Sequence, residues 1–168
     1  MIIDRFSTSF RDGISGLYSE AYFAEVFQRE WHRMLREQDA LSIIIIHPHL
    51  NIETPEDRMS FKLIAELVES STKRSTDLAC RFQNNEIAVG VFNLDENGTE
   101  TVITRILHSA EDNLAGIIEN VHLSIGAMNV LPSNQMEINE IFQLTEQLAF
   151  KAESKGKNAY EVQYYQMH

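Results

Sequence analysis

Two apolar runs joined by a short polar turn constrain the fold of this chain more than any other feature. Residues 78–82 and 87–92 have the composition of strands, and the segment between them is rich in the amides that favour turns. This pattern predicts a β-hairpin. Upstream, residues 41–46 form a β-branched run, which is typical of a strand covered on both faces. Because a hairpin is antiparallel, a purely parallel sheet is excluded.

Helices are predicted between these strands. Ser19 is a candidate helix cap, and apolar residues follow it at helical spacing. The run Thr54-Pro55-Glu56-Asp57 is a strong helix start, and we expect that helix to end near Ser71. The remaining predicted elements are a helix from Gly98-Thr99, a strand at 121–125, a helix over Ile138–Glu153 and a strand at 160–164. Together they predict an α/β (α+β) fold, with a central mixed sheet flanked by helices and one β-hairpin.

Composition excludes several classes of function. The formal net charge is −11 and the pI is about 4.9, which argues against broad binding to nucleic acid or to an anionic membrane. The longest apolar run is too short to cross a bilayer, and Cys80 has no second cysteine with which to form a disulfide. Residues 1–5 show no secretory signal. We therefore expect one domain spanning residues 1–168, located in the cytoplasm.

Four segments, in order, resemble the motifs of GGDEF domains, the bacterial diguanylate cyclases. Gln83-Asn84-Asn85-Glu86-Ile87, after Arg81 and Phe82, is similar to the end of the Arg-Tyr-Gly-Gly-Asp-Glu-Phe signature. The other matching segments are Asp12-Gly13-Ile14-Ser15-Gly16-Leu17, Ser124-Ile125-Gly126-Ala127 and residues 148–158. The resemblance covers residues 12–158. It implies a palm-like sheet whose hairpin presents the nucleotide site, and active relatives that work in pairs, each holding GTP and Mg²⁺.

The residues that correspond to the catalytic site are largely replaced. The resemblance implies metal-binding acids where this chain has His47 and Asn85, and glycines where it has Gln83 and Asn84. Glu86 is retained, but one carboxylate is a weak basis for holding Mg²⁺ beside a triphosphate. We expect Asn84-Asn85 to form a tight hairpin turn of the primed type. This degenerate domain is therefore expected to have no catalytic residues, no Mg²⁺ cofactor and no enzyme activity.

The resemblance also implies a binding site for the product, cyclic di-GMP. Arg74 and Asp77 match an Arg-x-x-Asp pair in the register that the family uses, and Arg105 falls near a further ligand-binding arginine. An arginine can donate to guanine or phosphate, and a carboxylate can accept from guanine. A structural role is the alternative, because cations are favoured at the end of a helix and such pairs are common.

Three hypotheses for function follow. The first is a cyclic di-GMP receptor that signals to a protein partner or to a second copy of the chain. The second is a protein-interaction domain without a nucleotide ligand, and the third is a residual GTP-binding cyclase that uses Glu86 and an atypical metal. His47 and His49 could share one face of a strand end, as metal ligands do, but no third ligand lies at a recognisable spacing. We therefore expect no metal site.

Overall fold

The computed structural model describes residues 10–165, which form the four helices and five strands named below. In chain order they are α1 (Glu20–Glu37), β1 (Leu41–His47), α2 (Pro55–Ser71), β2 (Leu78–Phe82), β3 (Glu86–Phe92), α3 (Glu96–Leu114), β4 (Ser124–Val130), α4 (Ile138–Glu153) and β5 (Ala159–Tyr165). The chain start at residues 1–5, from which no secretory signal is expected, lies outside the described residues. None of the described helices is long and apolar enough to cross a membrane.

The strands form one mixed sheet in the order β2-β3-β1-β4-β5. The central strand β1 is antiparallel to both neighbours, β2 and β3 form the predicted hairpin, and β4 and β5 are parallel. Ile44 and Ile46 pack with α2 and α3 on one face, while Ile43 and Ile45 pack with α1 and α4 on the other. Burial of both faces of β1 explains its unbroken apolar run, and the predicted mixed α+β fold is confirmed.

Side-chain caps fix the starts of the first three helices. The Ser19 hydroxyl accepts a hydrogen bond from the Tyr22 N–H at 3.2 Å, and Thr54 accepts one from the Asp57 N–H at 3.3 Å, as predicted. The third helix begins at Glu96, two residues before the predicted start at Gly98-Thr99. Asp95 caps α3 by accepting a hydrogen bond from the Gly98 N–H at 2.8 Å, so the glycine lies inside the first turn.

The predicted strand at 121–125 was placed too early in the chain. The observed strand, β4, begins at Ser124 and continues to Val130. It includes Gly126 and Asn129, which weaken the local preference for a strand. Pairing decides its extent, because β4 is matched to β1 along its whole length, from Leu41 opposite Val130 to His47 opposite Ser124.

Gly126 allows the backbone of α4 to lie directly against β4. A Cβ atom at this position would come within 2.3 Å of the Ala149 nitrogen and 2.4 Å of the Thr145 carbonyl oxygen. Both atoms belong to the helix backbone, so a side-chain rotation cannot relieve the clash. The glycine is therefore required by the distance between helix and sheet.

We predict that Gly126→Ala lowers the free energy of unfolding by about 3 kcal/mol or more, because the added methyl group forces α4 away from the sheet. Urea denaturation followed by circular dichroism measures this change. Gly116→Ala is the control, since a Cβ atom there meets nothing within 4 Å. Equal stability of the Gly126→Ala variant and the wild type would contradict the close contact.

Candidate functional site

A histidine cluster, formed by His47, His49 and His122, lies where β1 ends and β4 begins. His47 is the last residue of β1 and is paired with Ser124, the first residue of β4. His49 follows in a left-handed conformation, with φ of 57°. His122 precedes β4 by two residues. Antiparallel pairing of the two strands therefore brings together side chains that are far apart in sequence.

The three imidazole rings lie in a row: the His49 ring stacks on that of His122, with 24° between the ring planes, and the His47 ring is tilted by 53° against that of His49. The ring centroids of His47 and His49 are 4.2 Å apart, and those of His49 and His122 are 4.0 Å apart. The His49 Nε2 atom shares a hydrogen bond of 2.8 Å with the hydroxyl of Ser124. His47 Nδ1 and His122 Nε2 are buried and have no hydrogen-bond partner among residues 10–165.

Three glutamates surround this cluster. Glu86, at the start of β3, places its Oε2 atom 4.0 Å from His47 Nδ1. Glu153, at the end of α4, places its Oε1 atom 3.9 Å from His49 Nδ1. Glu146, about two turns earlier on α4, lies close enough to Glu86 to raise the pKa of Glu86.

Burial shifts the protonation of this region towards neutral side chains. Burial lowers the pKa of His47, and the charges of Glu153 and Glu146 only partly oppose the shift. Burial also lowers the pKa of His49, with further lowering by His47 and His122. Glu86 is 4% exposed, and burial together with Glu146 raises its pKa to about 8. Glu86 therefore carries its proton at neutral pH.

This set of donors does not suit Mg²⁺, which prefers several anionic oxygens. His47 and Asn85 are neutral where the resemblance implies acids, and the Glu86 carboxyl is protonated at neutral pH. Nor are any three His, Cys, Asp or Glu side chains in the described part of the chain already arranged to hold a metal ion.

The hairpin turn differs in position from the predicted one. Gln83 and Asn84, rather than Asn84 and Asn85, have left-handed backbones, with φ of 46° and 71°. They occupy the positions of the family's glycines, so the turn keeps a conformation that glycine adopts without strain and Gln83 does not. The Arg81 guanidinium stabilises the turn by donating a 2.9 Å hydrogen bond to the Asn84 carbonyl, and it also contacts Asp12 at 2.9 Å.

A second cluster, here named the arginine site, consists of Arg74, Asp77 and Arg105. Reciprocal hydrogen bonds close the loop before β2: the Arg74 N–H donates to Asp77 Oδ2 at 3.1 Å, and the Asp77 N–H donates to the Arg74 carbonyl at 2.9 Å. Arg105 reaches across from α3 and donates to the Ser71 carbonyl at 3.2 Å. The fold thus brings together the three residues that the sequence groups.

The half-buried carboxyl group of Asp77 lies between the two arginines of the arginine site. Its Oδ1 atom is inaccessible to solvent and has no hydrogen-bond partner within the described residues. Burial raises the pKa of Asp77, while the Arg74 N–H and the charges of Arg74 and Arg105 oppose that shift. Both arginines are exposed, so their side chains line an accessible surface around this carboxyl group.

The arginine site and the hairpin turn lie at opposite ends of β2. Asp77 immediately precedes this strand and the hairpin turn immediately follows it, so about 17 Å of extended chain separates them. Near the turn, a cleft of about 690 Å³ opens between α1 and α4. Glu20, Glu137 and Glu146 line it, and its described lining includes no lysine or arginine. The arginine site therefore presents cationic groups at its surface, which the described lining of this cleft does not.

His122 and Glu146 are members of the histidine cluster and its surroundings that the sequence does not identify. His122 is remote from His47 and His49 in sequence, and only the register of β1 against β4 unites them. The sequence does place His122 two residues before the Ser-Ile-Gly motif. That position indicates a link to His47 and His49 only when the pairing of β1 with β4 is known.

Comparison with known proteins identifies the family. The family model described as "Diguanylate cyclase, GGDEF domain" matches residues 59–159, which is more than half of the 168 residues. The chain therefore belongs to the GGDEF domain family. Among curated proteins there is no match.

Solved structures share the fold at low sequence identity. The coiled coil and GGDEF domain of DgcB from Caulobacter crescentus, in complex with c-di-GMP, has a TM-score of 0.82 and 10% identity, covering 98% of this chain and 90% of that one. Diguanylate cyclase SiaD from Pseudomonas aeruginosa, in complex with its activator SiaC, has a TM-score of 0.80 and 16% identity, covering 98% and 65%. Vibrio cholerae LapD, an S helix-GGDEF-EAL structure bound to c-di-GMP, has a TM-score of 0.76 and 17% identity, covering 98% and 39%.

We predict that Glu86→Gln changes the pH dependence of stability. The folded state holds the Glu86 proton more tightly than the unfolded state does, so wild-type stability falls as pH rises from about 4.5 through about 8. The substituted amide has the shape of the protonated carboxyl group and does not ionise. The variant is expected to gain about 1–3 kcal/mol relative to wild type at pH 8, and little at pH 5.

Urea denaturation at several pH values, in buffer free of divalent cations, measures this difference. Glu25→Gln, on the exposed face of α1, removes a carboxyl group away from the cluster and is the matched control. A difference between Glu86→Gln and wild type that stays constant from pH 5 to pH 8 would contradict the raised pKa of Glu86.

Proposed function

We propose that this chain is a cyclic di-GMP receptor that lacks cyclase activity. It binds the dinucleotide at the arginine site through Arg74, Asp77 and Arg105. The occupied site then changes the affinity of the domain for a protein partner or for a second copy of the chain.

The unpartnered Oδ1 atom of Asp77, with arginine charges acting on it, carries this proposal. A buried carboxylate oxygen without a donor is unfavourable, and the N1–H and amino group of guanine supply donors in a planar pair. Arg74 and Arg105 then offer guanidinium groups to guanine acceptors or to the phosphodiester oxygens. A small reorientation of the Asp77 side chain is needed for its buried oxygen to meet the base.

The relatives support both parts of this proposal. DgcB and LapD are in complex with cyclic di-GMP, and SiaD is in complex with its activator SiaC. The GGDEF domain of DgcB by itself is also in complex with the dinucleotide, so a domain of this fold can hold it. These identities are low, so the assignment to this chain depends on its own arginine site.

The residues at the hairpin end of β2 argue against synthesis of cyclic di-GMP by this chain. Catalysis on GTP requires metal-bound phosphates, and the donors His47, Asn85 and protonated Glu86 suit Mg²⁺ poorly. Gln83 and Asn84 also place Cβ atoms where the family's glycines leave space for the nucleotide.

We predict that cyclic di-GMP binds to the wild-type chain and that Arg74→Ala weakens binding by about 10- to 100-fold, since a charge-assisted hydrogen bond is lost. Asp77→Asn should also weaken binding, because the amide loses the anionic acceptor while keeping a similar shape. Isothermal titration calorimetry measures each dissociation constant.

Arg36→Ala is the matched control for this titration, because Arg36 is an exposed arginine in the last turn of α1, away from the arginine site. It should bind as the wild type does. If the folded wild type gives no binding heat, or if Arg74→Ala binds as tightly, the receptor proposal fails. A stable partner complex without nucleotide would then favour the protein-interaction domain.

We also predict that the chain forms no cyclic di-GMP from GTP, because Mg²⁺ lacks the anionic ligands that phosphoryl transfer requires. Incubation with GTP and either Mg²⁺ or Mn²⁺, followed by chromatography, tests this expectation. An active diguanylate cyclase assayed in parallel is the positive control. Accumulation of product that disappears in Glu86→Gln would establish the residual cyclase instead.

A further inference from the structure

The cleft between α1 and α4, here named the α1–α4 groove, is long as well as large. Its volume is about 690 Å³, and α1 contributes lining residues at every turn from Glu20 to Leu35. At 1.5 Å of rise per residue, this wall is about 22 Å long. The opposite wall follows α4 from Glu137 to Glu146. An occupant that uses the whole groove is therefore elongated.

Aromatic side chains form the floor of the α1–α4 groove. The Phe142 ring of α4 lies 5.2 Å from that of Phe27 on α1 and 5.8 Å from that of Phe82 on β2, measured between centroids. Trp31 lines the groove one turn after Phe27. Phe142 is only partly buried and Ala24 is exposed, so both present apolar surface to an occupant. A floor that is already packed reduces the ordering cost of binding.

The rim of the α1–α4 groove is acidic. Glu20 and Glu137 are exposed and Glu146 is partly exposed, and all three line the groove. The described lining includes no lysine or arginine. This separation of charge is not a consequence of composition alone, because α1 itself carries three arginines that lie outside the lining, Arg29, Arg33 and Arg36. The groove therefore complements an occupant that combines positive charge with an apolar face.

We propose that the α1–α4 groove binds a basic amphipathic helix of a protein partner. The apolar face of this helix packs on Phe142 and Ala24. Its lysine or arginine side chains pair with Glu20, Glu137 and Glu146 along the rim. About four turns of helix span about 22 Å, which is the length of the α1 wall. Insertion of an amphipathic helix into an apolar groove is a recurring mode of peptide recognition.

This inference names the kind of partner that the proposed function requires. It depends on side chains of α1 and α4 and on none of Arg74, Asp77 or Arg105. Its test is therefore made without cyclic di-GMP. Failure to bind the dinucleotide and failure to bind a basic helix are separate results, and neither decides the other.

A synthetic peptide tests the groove on the full chain. The peptide has two Leu-Lys-Lys-Leu-Leu-Lys-Leu repeats, which place leucine on one side of a helix and lysine on the other. It carries a fluorophore for anisotropy and is used at physiological salt, where long-range attraction to the net charge is screened. A scrambled peptide of the same composition is the control. It should bind at least about 10-fold more weakly, because it has equal charge but no apolar face.

Trp31 provides a second signal from the groove itself. It is the only tryptophan of the chain, it lines the floor, and neither peptide contains tryptophan. We expect its fluorescence emission to change on titration with the amphipathic peptide, with the same dissociation constant as the anisotropy. A peptide bound elsewhere on the acidic surface should leave this emission unchanged.

Two substitutions that place a cation in the groove should weaken binding of the amphipathic peptide at least about 10-fold, Glu137→Lys and Ala24→Arg. The matched controls make the same changes outside the lining, Glu140→Lys in the first turn of α4 and Ala21→Arg on α1. Each control should bind within about 2-fold of the wild type. The Glu137 side chain makes no capping hydrogen bond, and circular dichroism verifies that every variant is folded.

Absence of peptide binding to the folded wild type would overturn the proposal. Equal binding of the scrambled peptide, or equal weakening in the control variants, would show attraction to net charge alone and would overturn it as well. Self-association of the wild type in light scattering, abolished by Glu137→Lys and Ala24→Arg, would identify a second copy of the chain as the occupant and reject the partner helix.

Discussion

The direct contact between the α4 backbone and β4 at Gly126 determines what surrounds the end of the central strand. With no Cβ atom between them, the helix approaches until Thr145 and Ala149 touch the sheet. The residues beside these two contact points then project beyond the edge of the helix–sheet interface. Glu146, next to Thr145, is thereby brought close to Glu86, and Glu153, about one turn after Ala149, lies beside His49.

Charge is divided unequally between the two ends of β2. At the hairpin end Arg81 is paired with Asp12, and Glu20 and Glu146 lie near the turn, whereas the opposite end presents Arg74 and Arg105 around Asp77. About 17 Å of strand separates them, which exceeds the Debye length of about 8 Å at physiological salt. An anion at the arginine site therefore responds mainly to the adjacent guanidinium groups, despite a formal net charge of −11 for the chain.

Local chemistry explains which parts of the fold are predictable from sequence. Ser19 and Thr54 cap helices through hydrogen bonds within their own first turns, so a short window of sequence suffices. The extent of β4 depends instead on a partner strand more than seventy-five residues away. Because Gly126 and Asn129 have low β-propensity, propensity alone does not predict that the strand continues through them.

The same distinction applies to the candidate sites. Arg74 and Asp77 are neighbours in sequence, so their association is visible in it, and Arg105 follows from the resemblance to the family. The left-handed residues of the turn are Gln83 and Asn84 instead of the predicted Asn84 and Asn85. The register of the hairpin pairs Phe82 with Glu86, so the chain must reverse within residues 83–85. His122 joins His49 only through tertiary pairing, which no local pattern encodes.

The glutamates around His47 also restrict how this domain can evolve. Reversion of position 47 to an acid would place a new carboxylate beside Glu86, whose Oε2 atom is now 4.0 Å from the imidazole, and close to Glu146 as well. Carboxyl groups held close together in a buried setting cannot all ionise without repulsion, and Glu153 adds a further acid nearby. The first mutational step back towards a magnesium enzyme would thus cost stability before it conferred any activity. The surroundings of position 47 therefore favour a neutral side chain over an acid.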